Sequence, residues 1–272
     1  MSNNTLILKN KIDAITARAR RACEYYDYRS RVDLADLARQ LYVKHIRPNN
    51  TVPDAATSRI RDGYAVYFNP SKPGVRQRFS LAHELAHILV QPDLTGADRL
   101  EKEDPEERRL ENLCDQVATS LLMPAKAVRT RLKISGRSPN SVINLAKHFN
   151  VSKQAMALRI VSLAPNPYAI VYATVSEHTG RLAVEWACAS PNSVFGFRYI
   201  PGGKHVDSIS QFVQAIGHTE TWPLDNYIDI GILGFGSRHR AITGPLRGNH
   251  ETGTAVMSVI ELQHQLPLDD SK

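Results

Sequence analysis

Apolar residues recur at helical spacing in the first part of the chain and at strand spacing in its last part. In KIDAITARARRACEYY, Ile12, Ile15, Ala19 and Ala22 lie three or four apart; RVDLADLARQLYVKHI repeats the pattern with Leu34, Leu37, Ala38 and Leu41. Each segment predicts an amphipathic helix. The period drops to two in DGYAVYFNP, where Tyr64, Val66 and Phe68 alternate with Ala65 and Tyr67 between Gly63 and Pro70, predicting a short strand. RFSLAHELAHILV, residues 78–90, predicts the next helix, and the polar run PDLTGADRLEKED, residues 92–104, an exposed loop. In the helix that follows, Asp104 suits the N-cap and Pro105 the first helical position, where an N–H has no partner; Glu107 stands three residues after the cap. Its apolar stripe is Leu110, Leu113, Cys114, Val117 and Leu121, and Pro124 marks its end.

SPNSVINLAKHFNVSKQAMALRIVSLAP predicts two helices joined by a tight turn. Ser138 and Pro139 start the first, Asn150 takes the left-handed turn conformation and Ser152 caps the second. Val142, Leu145, Ala146 and Phe149 are expected to pack on Val151, Ala155, Leu158 and Val161. Past Pro165 the texture changes, because ten of the fifteen glycines lie between Gly196 and Gly253. YAIVYATV, RLAVEWACA, FGFRYI, IDIGILGF and TAVMSVIEL predict strands there, with HTGR as a hairpin turn and VDSISQFVQAIG as one helix. The expected organisation is α+β in three parts, residues 1–125, 126–165 and 166–272.

Composition narrows the function classes. A hydrophobic content of 42% over 272 residues can build a sizeable core, and no segment approaches the ~18 apolar residues of a membrane span, so no membrane partner and a cytoplasmic location are expected. Cys23, Cys114 and Cys188 lie far apart with no C-x-x-C pair, which excludes a disulfide framework and a cysteine zinc site and leaves each as a small buried apolar residue. The net charge of +7 is uneven: residues 126–165 carry 8 Lys/Arg and no Asp or Glu, whereas residues 49–125 carry 9 against 12. Such an acid-free stretch points to a polyanion or an acidic protein surface as partner, or to a solvated basic face.

The chemistry is concentrated in His83-Glu84-Leu85-Ala86-His87. Residues four apart share a helix face about 6 Å apart along the axis, so His83 and His87 can direct two imidazole nitrogens at one ion. Glu84, turned about 100° from His83, can reach a water at that ion without being a ligand, which suits a general base. With ten histidines in 272 residues the pattern arises by chance roughly 0.016 times per chain. Glu111, followed one turn later by Asp115, is the candidate third ligand, with Asp115 accepting an N–H from a ligating histidine. The alternative for that acidic pair is a solvent-facing helix rim. Zinc is the expected ion, although manganese or iron suits the same ligands. A donor for the oxyanion is also needed, and Tyr64 or Tyr67 on the preceding strand is in line for it; the same strand could align an extended peptide by edge pairing.

RQRFSLAHELAHILV together with ENLCDQVATSLLMP resembles the ImmA/IrrE family of zinc metallopeptidases, whose members share an R-F-T-x-A-H-E-L-x-H helix and an E-x-x-A-N-x-F-A-x-x-L-L-M-P helix. The resemblance spans residues 60–124 and implies a zincin-like fold with zinc held by His83, His87 and Glu111 and Glu84 as general base. The chain departs from the pattern at Cys114, Asp115 and Val117, where Ala, Asn and Phe are usual. It further implies a helix-turn-helix in residues 126–165, a GAF-like sensor domain in residues 166–272, and a helix-turn-helix transcriptional repressor as protein substrate, whose cleavage derepresses stress-response or mobile-element genes. In a DNA-reading version of the middle segment, Ser152, Lys153, Gln154 and Arg159 would face bases or phosphates and Lys147 the backbone. A DNA-binding regulator with the peptidase fold as scaffold is therefore the alternative function. His205, His218, His239, His250 and His264 lack metal-like spacing and are expected at the surface, Trp186 and Trp222 in the core.

Overall fold

The computed structural model describes residues 14, 17, 32–90, 105–164, 168–175, 182–190, 199–205, 224–228, 239–246 and 255–261. By proximity they divide into two units, Met1–Val128 with Lys147–Ser152, and Arg129–Ala146 with Lys153–Lys272. Among the described residues no helix is long and apolar enough to cross a membrane.

The first unit begins with α1 (Leu34–Gln40), capped by Asp33, whose carboxylate accepts from the N–H groups of Ala35 and Asp36 at 2.9 and 3.2 Å. This helix is shorter than its apolar repeat predicts. Tyr42 adopts a φ of 60°, a left-handed conformation that stops the helix, and the chain turns into β1 (Val43–Pro48). β2 (Ala55–Ile60) and β3 (Gly63–Phe68) complete a three-stranded sheet in the order β1-β3-β2, β3 being parallel to β1 and antiparallel to β2. Gly63 (φ 145°) is obligatory at the start of β3: a Cβ there would stand 2.1 Å from the Tyr42 carbonyl oxygen. The strand expected from Tyr64, Val66 and Phe68 is therefore the middle one, with partners on both sides.

α2 (Gly74–Val90) packs on β2 and β3, and α3 (Pro105–Leu122) packs on α2. Ala82, Leu85, Ala86, Ile88 and Leu89 of α2 are buried, and so are Cys114, Val117, Ala118, Leu121 and Leu122 of α3. The helix expected from Pro105 begins there, and it ends two residues before Pro124. α4 (Ala125–Ser135), not foreseen as a separate helix, follows with Ala127 and Val128 buried. α5 (Pro139–Phe149) and α6 (Lys153–Leu163) match the predicted pair. Ser138 Oγ accepts from the Ser141 N–H at 3.2 Å, and Asn150 takes the expected left-handed turn at φ 53°. The buried face of α6 is Met156, Ala157, Ile160 and Val161, so it is rotated from the expected Ala155, Leu158 and Val161 stripe.

In the second unit six antiparallel strands are ordered β6-β5-β4-β9-β8-β7: β4 (Tyr168–Val175), β5 (Leu182–Ala189), β6 (Tyr199–His205), β7 (Leu224–Ile228), β8 (His239–Leu246) and β9 (Ala255–Glu261). β4, β5 and β9 coincide with predicted runs. The last two residues of FGFRYI fall in β6 and the first of IDIGILGF in β7, the rest of each run lying outside the described residues, and β8 has no counterpart among the predicted runs because HRAITGPL carries both a glycine and a proline. Trp186 is buried and stacked on Tyr172, ring centroids 5.3 Å apart. The expected loop at 92–104, the helix at 206–217, the HTGR turn, Trp222 and Asp104 lie outside the described residues, as do all but Ala14 and Ala17 of the first predicted helix.

Candidate metal centre

The i, i+4 spacing places His83 and His87 on one face of α2, and their rings meet edge to face with centroids 4.8 Å apart. α3 brings Glu111 against both. His83 Nε2 lies 3.1 Å from Glu111 Oε2, His87 Nε2 lies 3.3 Å from Glu111 Oε1, and the two Nε2 atoms are 3.0 Å apart. Three donors around a tetrahedral zinc at roughly 2.0–2.1 Å stand roughly 3.3–3.4 Å from one another. The observed separations are close to that, and one ligand atom from each of the three residues falls within 4.8 Å of the others. Two imidazole nitrogens whose lone pairs face each other at 3.0 Å repel unless a proton or a cation lies between them. The donor set therefore fits a divalent cation.

The atoms behind the ligands are also held. Asp115 Oδ1 lies 2.9 Å from His83 Nδ1; an ionised carboxylate only accepts, so Nδ1 carries the proton and Nε2 faces the centre. On His87 the corresponding contact is with Cys114, whose Sγ is 3.3 Å from Nδ1. Glu84, the residue after His83, turns towards the sheet, where the Thr57 hydroxyl donates to its Oε2 at 2.7 Å. Both are buried, at 4% and 5% exposure, so the carboxylate is held by a charge-assisted hydrogen bond inside the protein. Arg76, in the first turn of α2, donates from Nε and Nη2 to the two carboxylate oxygens of Asp54 at 2.9 and 2.8 Å, tying the entrance of β2 to that helix.

Electrostatics follow from this packing. Burial of His83 opposes its charging, but the hydrogen bonds with Asp115 and Glu111 outweigh it and push its pKa up to about 9. Glu111 is held well below the usual carboxylate range, first by its hydrogen bond with His83 and then by that with His87, against the effect of burial. Both shifts share a cause, the contact between the imidazoles and the Glu111 carboxylate.

Of the sequence candidates, His83, Glu84, His87, Glu111 and Asp115 are brought together. Tyr64 and Tyr67 separate. Thr57 pairs with Val66, and side chains alternate along a strand, so Thr57, Tyr64 and Val66 share the face next to Glu84 while Tyr67 points to the other. Tyr67 is thus excluded as an oxyanion donor beside Glu84. Tyr64 is buried on the correct face, its ring 5.8 Å from the Arg59 guanidinium carbon. Edge pairing of a peptide with β3 is excluded too, since β1 and β2 occupy both its sides; among the described strands the outer edge of β2, next to Glu84, is open to it. Lys147 and Ser152 are exposed, whereas Lys153, Gln154 and Arg159 are half-buried, and the Lys153 ammonium lies 5.9 Å from the centre of the Tyr172 ring. Thr57 and Cys114 were not identified from sequence. Thr57 sits in a strand without clear alternation; the spacing of Cys114 from Glu111 puts it on the same helix face, but its contact with His87 is made only by the packing of α3 on α2.

Residues 35–161 match the family model for the IrrE N-terminal-like domain. The chain is 31% identical over 111 residues to the radiation response metalloprotease IrrE of Deinococcus radiodurans, covering 40% of this chain and 33% of that protein. It is 30% identical over 113 residues to the protein of the same name from Deinococcus deserti, covering 40% of each. The similarity thus spans well under half the length of either relative. A solved structure of a Mycobacterium tuberculosis transcriptional regulator is similar with a TM-score of 0.47 and 15% identity, over 93% of this chain and 76% of that one.

Proposed function

We propose, from the match of residues 35–161 to the IrrE N-terminal-like family model, that this chain is a zinc-dependent endopeptidase that cleaves a helix-turn-helix transcriptional repressor in the cytoplasm and so derepresses stress-response or mobile-element genes. The observation that carries the reading is the convergence of His83, His87 and Glu111 beside a buried, hydrogen-bonded Glu84. Zinc, when bound, polarises a peptide carbonyl and makes water a competent nucleophile near neutral pH. His83, His87 and Glu111 hold the ion. Asp115 keeps His83 in the tautomer that can do so. Glu84 takes the proton of the attacking water and passes it to the leaving amine, and Thr57 keeps its carboxylate aimed. An extended substrate is aligned along the outer edge of β2 by main-chain hydrogen bonds. Residues 166–272, with their six-stranded sheet, serve as a GAF-like sensor domain in this reading, and α5 and α6 as the helix-turn-helix-like segment.

Incubating candidate repressors with wild-type and Glu84→Gln protein tests the proposal. Loss of the general base is expected to slow cleavage by ~10²–10⁴-fold with zinc still bound. Cleavage unaffected by the change overturns the mechanism. The acid-free stretch favours a second reading, a DNA-binding regulator, since Lys126, Arg129, Lys133 and Lys147 are each exposed. Duplex binding that weakens steeply with salt, without cleavage by either protein, would support it.

A further inference from the structure

Glu111, Cys114 and Asp115 stand at i, i+3 and i+4 on α3 and so share one helix face. Glu111 meets the Nε2 atoms of both imidazoles, and Asp115 meets the far nitrogen of His83. The far nitrogen of His87 meets a sulfur instead: Cys114 Sγ, on a fully buried side chain, lies 3.3 Å from Nδ1, within hydrogen-bonding range for sulfur. A ligating imidazole must carry its proton on the nitrogen turned away from the ion. If Nδ1 of His87 had no acceptor, the proton would be better placed on Nε2, where it blocks metal binding. His87 is itself buried, so water is a poor substitute.

We propose that Cys114 is a positioning residue of the metal centre: its sulfur accepts the Nδ1 proton of His87, fixes the tautomer whose Nε2 faces the cation, and thereby raises the affinity for a divalent metal. The inference rests on reading His83, His87 and Glu111 as that centre. It differs from a packing role, which any side chain of similar volume would fill. Valine keeps most of the volume and loses the acceptor, whereas serine keeps an acceptor.

The test needs no substrate. Zinc affinity of the metal-free wild-type protein and of Cys114→Val, Cys114→Ala and Cys114→Ser is read by competition with a chromophoric chelator. Valine and alanine are expected to weaken binding ~10–100-fold, while serine stays within about 5-fold of wild type. Visible spectra of the cobalt-loaded proteins should change with valine or alanine and be restored by serine. Circular dichroism identifies the folded variants, and alanine decides if valine does not fold. Wild-type affinity in the valine protein, or in the alanine protein where that one decides, overturns the inference, as does a serine protein as weak as the acceptor-free one. These results leave the peptidase reading intact. A wild-type chain that takes up no zinc overturns both.

Discussion

The two buried cysteines of the described structure have the same side chain and the same complete burial, yet they belong to different kinds of core. Cys188 lies in the six-stranded sheet, on a strand register with Ile170, among Ala187, Ala189 and Trp186; burial pushes its thiol up to about 12, keeping it neutral and inert. Cys114 lies between α2 and α3 with its sulfur against an imidazole nitrogen. The same contrast holds between the regions. The sheet buries mainly apolar groups, with Ser190 as an exception that accepts from the Tyr168 N–H at 3.1 Å. The helix pair and its strands bury Glu84, His87 and Thr57. An ionisable group in a core is costly unless compensated, so a fold that retains several of them in mutual contact is using them. Burial alone assigns no role; the partner of the buried atom does.

Removing Glu111 should break this contrast most completely. Glu111→Ala leaves two imidazoles without the carboxylate that both face and is expected to weaken zinc binding more than ~100-fold, beyond the loss from an outer partner. Zinc should then cease to raise the melting temperature, because that gain comes from binding to the folded state. Chelator competition and calorimetry on the full chain measure both. Unchanged affinity would mean that Glu111 is only a rim carboxylate.

Each half of the centre was legible from sequence because helix periodicity is local, His83 and His87 being fixed by a single turn and Glu111 and Asp115 by another, while the family resemblance joined the two turns. The capped start at Pro105 and the left-handed Asn150 were legible for the same reason. The three-stranded sheet was not. β1 has Lys44, His45, Ile46, Arg47 and Pro48 all exposed, so its sequence carries no alternation for a period-two reading to detect. β2 pairs Ala, Ser and Thr with one arginine and one isoleucine, and its register came from pairing with β3. Thr57 lies 27 residues before Glu84, and Cys114 lies 27 after His87; both contacts depend on tertiary packing. No spacing rule reaches so far.

Thr57 sharpens the comparison from the strand side. Replacing it by valine keeps its shape and removes the donor to Glu84, leaving a buried carboxylate oxygen short of one hydrogen bond. A base displaced by about 1 Å can cost ~10²-fold, so a kcat drop of ~10–100-fold is expected, with KM and zinc affinity unchanged. Thr57→Ser should recover activity to within about 3-fold, since the hydroxyl returns. Steady-state kinetics on a cleaved repressor give the split. Equal losses in Thr57→Val and Thr57→Ser would assign Thr57 to packing, like the residues of the sheet.

The smallest effect is the pH dependence of the metal-free fold, and it has a definite sign. The pKa of His83 rises from its ordinary 6.5 to about 9 on folding, so the folded state binds the proton more tightly and gains stability that is fully present below about pH 6.5 and lost as pH rises through about 9. Glu111 is depressed from 4.5, so its contribution is present above about pH 4.5 and lost as pH falls. With a strong chelator, the melting temperature should therefore be highest between about pH 4.5 and 6.5 and drop by a few degrees towards pH 9. With excess zinc the fall over the upper interval should disappear. The metal needs the nitrogen that the proton occupies, so the zinc-induced gain in melting temperature should grow from pH 6.5 to 9. A chelated protein whose melting temperature is flat across that interval would show that the cluster does not hold a proton, and the distinction between the two cores would lose its electrostatic basis.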